Sequence, residues 1–329
     1  MEHTQRLRAI VLTAATAIAA LSIGTTSSFA SEITGKLLFE NNSDIYVTNP
    51  NGSEQPEKID VDNPSDWPTF QPVRSPNEEK IAFVRYDQDQ PNESGLQVLD
   101  LATNTVTPFL KPQDSNLGIE GITWSPDGLQ LAYGDITKFD GTGSPQCQIW
   151  VVNADGSGNR KLTDSGCYPD WSPDGSKIVY VNGTDCTLCV ASAIDGHLLL
   201  KLIPKTMTRA SAPDWSPDGT QIAYTLDVLP NLSKDRLELR IKNANGSGSL
   251  FGSRIGATFV GDKLPFDLLD PDWSSDGSRI AFAAVVRDTR NWYSFIASFK
   301  VAGSTSSHLE EYQIVTQTTP VDEQINPDW

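Results

Sequence analysis

Four aspartates stand out by type and spacing. Asp170, Asp214, Asp272 and Asp328 each precede a tryptophan in the tripeptide Pro-Asp-Trp. Carboxylates recurring at one place in a repeated unit, and converging on one axis, supply hard oxygen ligands of the kind calcium takes. The same residues can instead accept backbone hydrogen bonds at the junctions between units. Both readings stay open, and Arg74 and Thr123 break the motif in two copies. A second set, Asp127, Asp174, Asp218 and Asp276, lies in Ser-Pro-Asp-Gly or Ser-Ser-Asp-Gly, where a tight turn demands an Asp before a Gly. Cys147, Cys167, Cys186 and Cys189 form an even set, which in an exported chain reads as disulfides. The first pairing expected is 147–167 with 186–189, out of three connectivities. His197 and His308 are the histidines beyond the amino-terminal segment, and neither lies near a Gly-x-Ser-x-Gly elbow.

The elements that position these residues are set by an internal repeat. PDWSPDGSKIVY (169–180), PDWSPDGTQIAY (213–224), PDWSSDGSRIAF (271–282) and ITWSPDGLQLAY (122–133) are copies of one unit, PVRSPNEEKIAF (72–83) is a weaker one, and the chain ends on PDW (327–329). Each copy is followed by a second half, such as IWVVNADGSG (149–158) or LRIKNANGSG (239–248). The pattern predicts four strands per unit. Pro-Asp-Trp opens a short inner strand, Ser-Pro-Asp-Gly turns, an Ile-Ala-Tyr run forms the second strand, and Asn-Ala-Asp-Gly turns between the third and fourth. A period of 44–58 residues with four strands is that of a β-propeller. The fold expected is therefore all-β, a six-bladed β-propeller closed by N- and C-terminal strands in one blade. There the final Pro-Asp-Trp supplies the inner strand ahead of 36–39 and protects the sheet edges. Tryptophan at a fixed place in each unit is expected to wedge between blades.

Residues 3–8 are basic, 9–23 are apolar, and Ser28 and Ala30 are small residues placed for a cut after Ala30. This predicts a signal peptide over 1–30 and one propeller domain over 31–329, located in the periplasm or secreted. The apolar run is too short to span a bilayer. A net charge of −17 argues against nucleic acid and anionic membranes as partners.

These repeats resemble the TolB-like β-propeller family over essentially all of 35–329. The resemblance implies a periplasmic protein-interaction platform of the Tol–Pal cell-envelope type, here as the propeller without the α/β domain of the family's namesake. Similar repeats also precede peptidase domains of the prolyl oligopeptidase class and form some pectin-degrading lyases. The leading expectation is a monomeric, non-enzymatic platform that binds a cationic protein or peptide, with Asp170, Asp214, Asp272 and Asp328 at the channel mouth and calcium or another hard cation as their candidate ligand. The rival is a cation-dependent polysaccharide lyase or lactonase-type enzyme. The longer loops, 58–70, 84–95, 135–146, 226–238, 253–270 and 284–294, are expected on one face. They carry Asp87, Asp89, Glu93, Asp135, Asp140 and Asp227 around the aspartate ring.

Overall fold

The computed structural model describes residues 35–41, 44–61, 69–85, 95–110, 118–139, 145–182, 186–205, 209–227, 237–254, 266–287, 292–301, 312–314, 316 and 324–328. The expected signal segment lies outside them. The described residues form strands and turns arranged as six four-stranded antiparallel sheets.

The first sheet holds β1 (Leu37–Asn41), β2 (Asp44–Thr48) and β3 (Glu57–Lys58); the second β4 (Thr69–Arg74), β5 (Lys80–Arg85), β6 (Gly95–Asp100) and β7 (Thr105–Leu110). The third holds β8 (Ile119–Trp124), β9 (Gln130–Phe139), β10 (Pro145–Asn153) and β11 (Arg160–Lys161); the fourth β12 (Cys167–Trp171), β13 (Lys177–Val181), β14 (Cys186–Ser192) and β15 (Leu198–Pro204). The fifth holds β16 (Arg209–Trp215), β17 (Gln221–Asp227), β18 (Leu237–Asn243) and β19 (Ser253–Arg254). The sixth holds β20 (Phe266–Trp273), β21 (Arg279–Arg287), β22 (Trp292–Lys300) and β23 (Tyr312–Ile314). The last strand, β24 (Gln324–Asp328), joins the first sheet beside β1, with Leu38 opposite Asp328 and Glu40 opposite Ile325.

Each first hairpin is built by its turn chemistry. The Ser172 hydroxyl donates to Asp174 Oδ1 (2.6 Å), the N–H of Ser176 donates to the same oxygen (2.9 Å), and the N–H of Lys177 donates back to Ser172 Oγ (2.9 Å). Ser125 with Asp127, Ser216 with Asp218 and Ser274 with Asp276 repeat this geometry. In the second sheet Asn77 takes the Asp place, and Glu78 takes the Gly place at φ 57°.

The second strands are apolar without alternation because both of their faces are covered. Ile81, Phe83, Ile280 and Phe282 pack to one side, while Ala82, Ala132, Val179 and Ala223 pack to the other. Those small residues receive the tryptophan of the next sheet. Ala82 shares a cluster with Trp124, Ala132 with Trp171, Val179 with Trp215 and Ala223 with Trp273. The four tryptophans are buried between sheets, as a wedge must be. Arg74, also buried, stands at this place in the second sheet, and the residue of the first sheet at the repeat position of Ala82 is the larger, buried Leu38.

One expectation about the inner strand is corrected. Pro-Asp-Trp ends that strand instead of opening it: Trp171, Trp215 and Trp273 are the last residues of β12, β16 and β20. Three residues before each tryptophan place, the strand carries a β-bulge with positive φ, at Gln71 (54°), Gly121 (77°), Tyr168 (52°), Ala212 (44°) and Asp270 (47°). A bulge bends a strand and raises its twist, which here falls at the same point of five sheets.

Candidate functional site

The innermost strands carry the aspartates. Asp170, Asp214 and Asp272 sit one residue before the ends of β12, β16 and β20, at the end of the sheets where the Ser-Pro-Asp-Gly turns lie. Antiparallel pairing puts the loops between second and third strands, and the links between sheets, at the opposite end. The expected arrangement, with the acidic long loops around the aspartate row, is therefore overturned. Asp135 is fully buried, and Asp87, Asp89, Glu93 and Asp140 lie outside the described residues.

The aspartates tie neighbouring sheets together. The backbone N–H of Trp215 donates to Asp170 Oδ2 (2.8 Å), and the Thr123 hydroxyl donates to Asp170 Oδ1 (3.0 Å). The N–H of Trp273 donates to Asp214 Oδ2 (2.6 Å). The Asp214 side chain lies near enough to Asp170 to act on its carboxyl. Burial pushes the Asp170 carboxyl up to about 6, against the N–H of Trp215, the Thr123 hydroxyl and Asp214, which pull it down. The side chain of Asp328 lies outside the described residues, where only its pairing with Leu38 is seen.

A calcium site needs six to eight oxygen ligands. Both oxygens of Asp170 are engaged by donors, and among the described residues no group of three or more His, Cys, Asp or Glu side chains could hold a metal ion. Asp170 and Asp214 thus serve as inter-sheet ties.

Outside that row the same end is strongly acidic. Asp127, Asp174, Asp218 and Asp276 are exposed. Hydrogen bonds from the Ser172 hydroxyl and the Ser176 N–H hold Asp174 down to about 2; Ser274 and Ser278 do the same for Asp276. These carboxylates are ionised at neutral pH. The turns lie side by side: a Cβ on Gly277 would come within 3.3 Å of Pro217, and one on Gly219 within 3.8 Å of Pro173. The side chains that make the turns also present a rim of negative charge, which the turn motif alone did not single out.

At the other end, the N–H of Gln71 donates to Glu40 Oε2 (3.1 Å) and that of Gly121 to Gln71 Oε1 (2.8 Å), a second set of ties across sheets. Tyr168 donates its hydroxyl to Glu120 Oε1 (2.5 Å). Cys147 on β10 is bridged to Cys167 on β12, which links the third and fourth sheets and gives the first expected pairing. Cys189 is disulfide-bonded as well, and the Cys186 side chain lies outside the described residues. His197 is exposed in the turn before β15, and His308 lies outside the described residues.

The sheets, wedges and ties are those of a β-propeller. The chain is similar to the solved TolB of Acinetobacter baumannii, with a TM-score of 0.61 at 17% identity over 90% of this chain and 67% of that one. It is similar too to a putative TolB from Agrobacterium tumefaciens, with a TM-score of 0.55 at 16% identity over 87% of this chain and 89% of that one. Among curated proteins, the Tol-Pal system protein TolB of Alcanivorax borkumensis is 34% identical over 109 residues, 32% of this chain and 23% of that protein. Dipeptidyl-peptidase 5 of Porphyromonas endodontalis is 30% identical over 122 residues, 36% of this chain and 18% of that protein. The chain thus spans about a quarter or less of the curated relatives it matches. No family model matches it. No helix among the described residues is long and apolar enough to cross a membrane.

Proposed function

We infer that the protein is an exported, non-enzymatic propeller that binds a protein or peptide partner in the cell envelope. The domain reading is a signal peptide over 1–30 and a single propeller over 31–329. Six blades close into a ring through β24 and β1; the six four-stranded sheets and the β1–β24 pairing support this. Likeness to TolB propellers supports the envelope role.

The observation that carries the binding reading is the placement of both aspartate sets at one end. Asp170, Asp214 and Asp272 lie near the ends of the innermost strands beside these turns, whose own aspartates are exposed, and Asp328 is read as the fourth member of that inner row. A rim that is ionised at neutral pH and repeated around an axis suits a cationic partner. Capture from envelope extract by the exported protein, read by mass spectrometry across a salt series, tests this. The expected result is an enriched basic protein that is released by about 0.5 M salt, where screening shortens to a few Å. No enriched protein, or one that stays bound regardless of salt, would count against it.

A further inference from the structure

A cavity of about 510 Å³ opens on the outer wall where the third and fourth sheets meet, away from the propeller axis. The neighbouring β11 is only two residues long, and β15 carries three register shifts against β14. One wall is the link 162–165, the other is the turn 195–198, and Tyr180 and Asn182 form the buried floor. Its size is that of a site for a long side chain with part of its backbone.

The chemistry of the walls is selective. Each wall contributes one carboxylate to the lining, Asp164 from the link and Asp195 from the turn. Asp164 pairs with the exposed Lys161 (2.7 Å), a surface bond of little worth that an incoming cation can replace. Hydrogen bonds from Ser192 and from the N–H of His197 hold the Asp195 carboxyl below the usual range, so it is anionic through neutral pH. Two carboxylates disfavour phosphates, uronates and acidic peptides. The second wall is bracketed by exposed aliphatic residues. Ile194, just before it, is 81% exposed, and Leu199, just after Leu198, is 50% exposed. Exposed aliphatic side chains beside a polar cavity mark a docking surface more than a sugar or ion site.

We propose that this groove between the third and fourth blades is a second docking site, which takes an Arg or Lys side chain of a partner between Asp164 and Asp195 while the partner's flanking aliphatic residues cover Ile194 and Leu199. The proposal is independent of the acidic rim on the propeller axis.

The test uses the full exported protein and two capped peptides, acetyl-Leu-Arg-Leu-Arg-Leu-amide and acetyl-Leu-Glu-Leu-Glu-Leu-amide, titrated by NMR. The basic peptide is expected to bind at least about tenfold more tightly than the acidic one. Asp164→Asn and Ile194→Ser, both at exposed positions, are each expected to weaken it by about tenfold at an unchanged melting temperature. The binding is read from the resonances of 162–165 and 194–199, and Leu250→Ser is expected to leave it intact. Three results would overturn the proposal: no binding of the basic peptide at these resonances up to about 1 mM, equal binding of both peptides there, or shifts there that survive the Asp164 and Ile194 variants.

Discussion

Burial and hydrogen bonding act in opposite directions on the Asp170 carboxyl, and burial wins. Its folded value, raised to about 6, lies above the ordinary carboxyl value of 3.8, so the folded state holds a proton that the unfolded chain has released. The stabilisation is therefore fully present below about pH 4 and is lost as pH rises through about 6. The turn aspartates have the opposite sign. Held at about 2, Asp174 and Asp276 stabilise the fold above about pH 4 and lose that contribution as pH falls toward 2. Asp170→Asn mimics the protonated form, keeping an acceptor for the Trp215 N–H. It is expected to match wild type near pH 4.5 and to melt higher than wild type near pH 8. Melting curves that differ by the same amount at both pH values would contradict the raised Asp170 carboxyl. Asn in a turn has a natural precedent in Asn77, whose Oδ1 accepts from Ser75 as Asp174 accepts from Ser172. Each turn Asp→Asn change is thus expected to cost no more than about 1 kcal/mol.

Between elements, the fit of a large wedge against a small floor sets the junctions. Trp273 over Ala223 and Trp171 over Ala132 are one solution, and Arg74 with Leu38 at the equivalent places is another. Trp215→Ala is expected to cost about 3–5 kcal/mol, as removal of a buried aromatic does. Arg74→Trp alone should overpack the first junction by about 1–3 kcal/mol. Combined with Leu38→Ala it should recover stability, so that the pair costs less than the sum of its parts. Urea unfolding of the two single variants and the double variant checks this, and strict additivity would contradict the pairing. The Cys147–Cys167 bridge closes a loop with a sequence separation of 20, and its loss by Ser substitution at both positions is expected to cost about 3 kcal/mol. The turns, the apolar second strands and this bridge were all legible in the sequence, since each depends on residues close together or on a simple pairing. The bulges were not. Gln71, Gly121, Tyr168, Ala212 and Asp270 share one backbone conformation but no residue type, and only one of them is Gly. The place of Pro-Asp-Trp was misread because proline in a strand points to its first residue. Here Pro169, Pro213 and Pro271 lie on the innermost strand of each sheet, an edge where a missing N–H removes no ladder bond.

For the whole molecule, the ties from Asp170 to Trp215 and from Asp214 to Trp273 join residues 45 and 59 positions apart. Local pattern identifies both partners of each tie but cannot report that they meet, so the aspartates read equally well as ligands or as ties. The ties of Asp170 and Asp214 are seen in the structure, and the turn aspartates are exposed. Deleting 324–329 removes the strand beside β1 and leaves Leu38 and Phe39 with an open edge. A drop of many degrees in melting temperature with aggregation is expected, and a melt within a degree or two of the intact chain would contradict ring closure. The central claim is that the negative rim at the Ser-Pro-Asp-Gly end receives the cationic partner. Its most direct measurement is capture of that partner by the variant carrying Asp127→Asn, Asp174→Asn, Asp218→Asn and Asp276→Asn, beside the wild type at matched pH and salt. The account predicts a folded variant whose capture falls by at least about tenfold; a folded variant that captures the partner as well as wild type would contradict it.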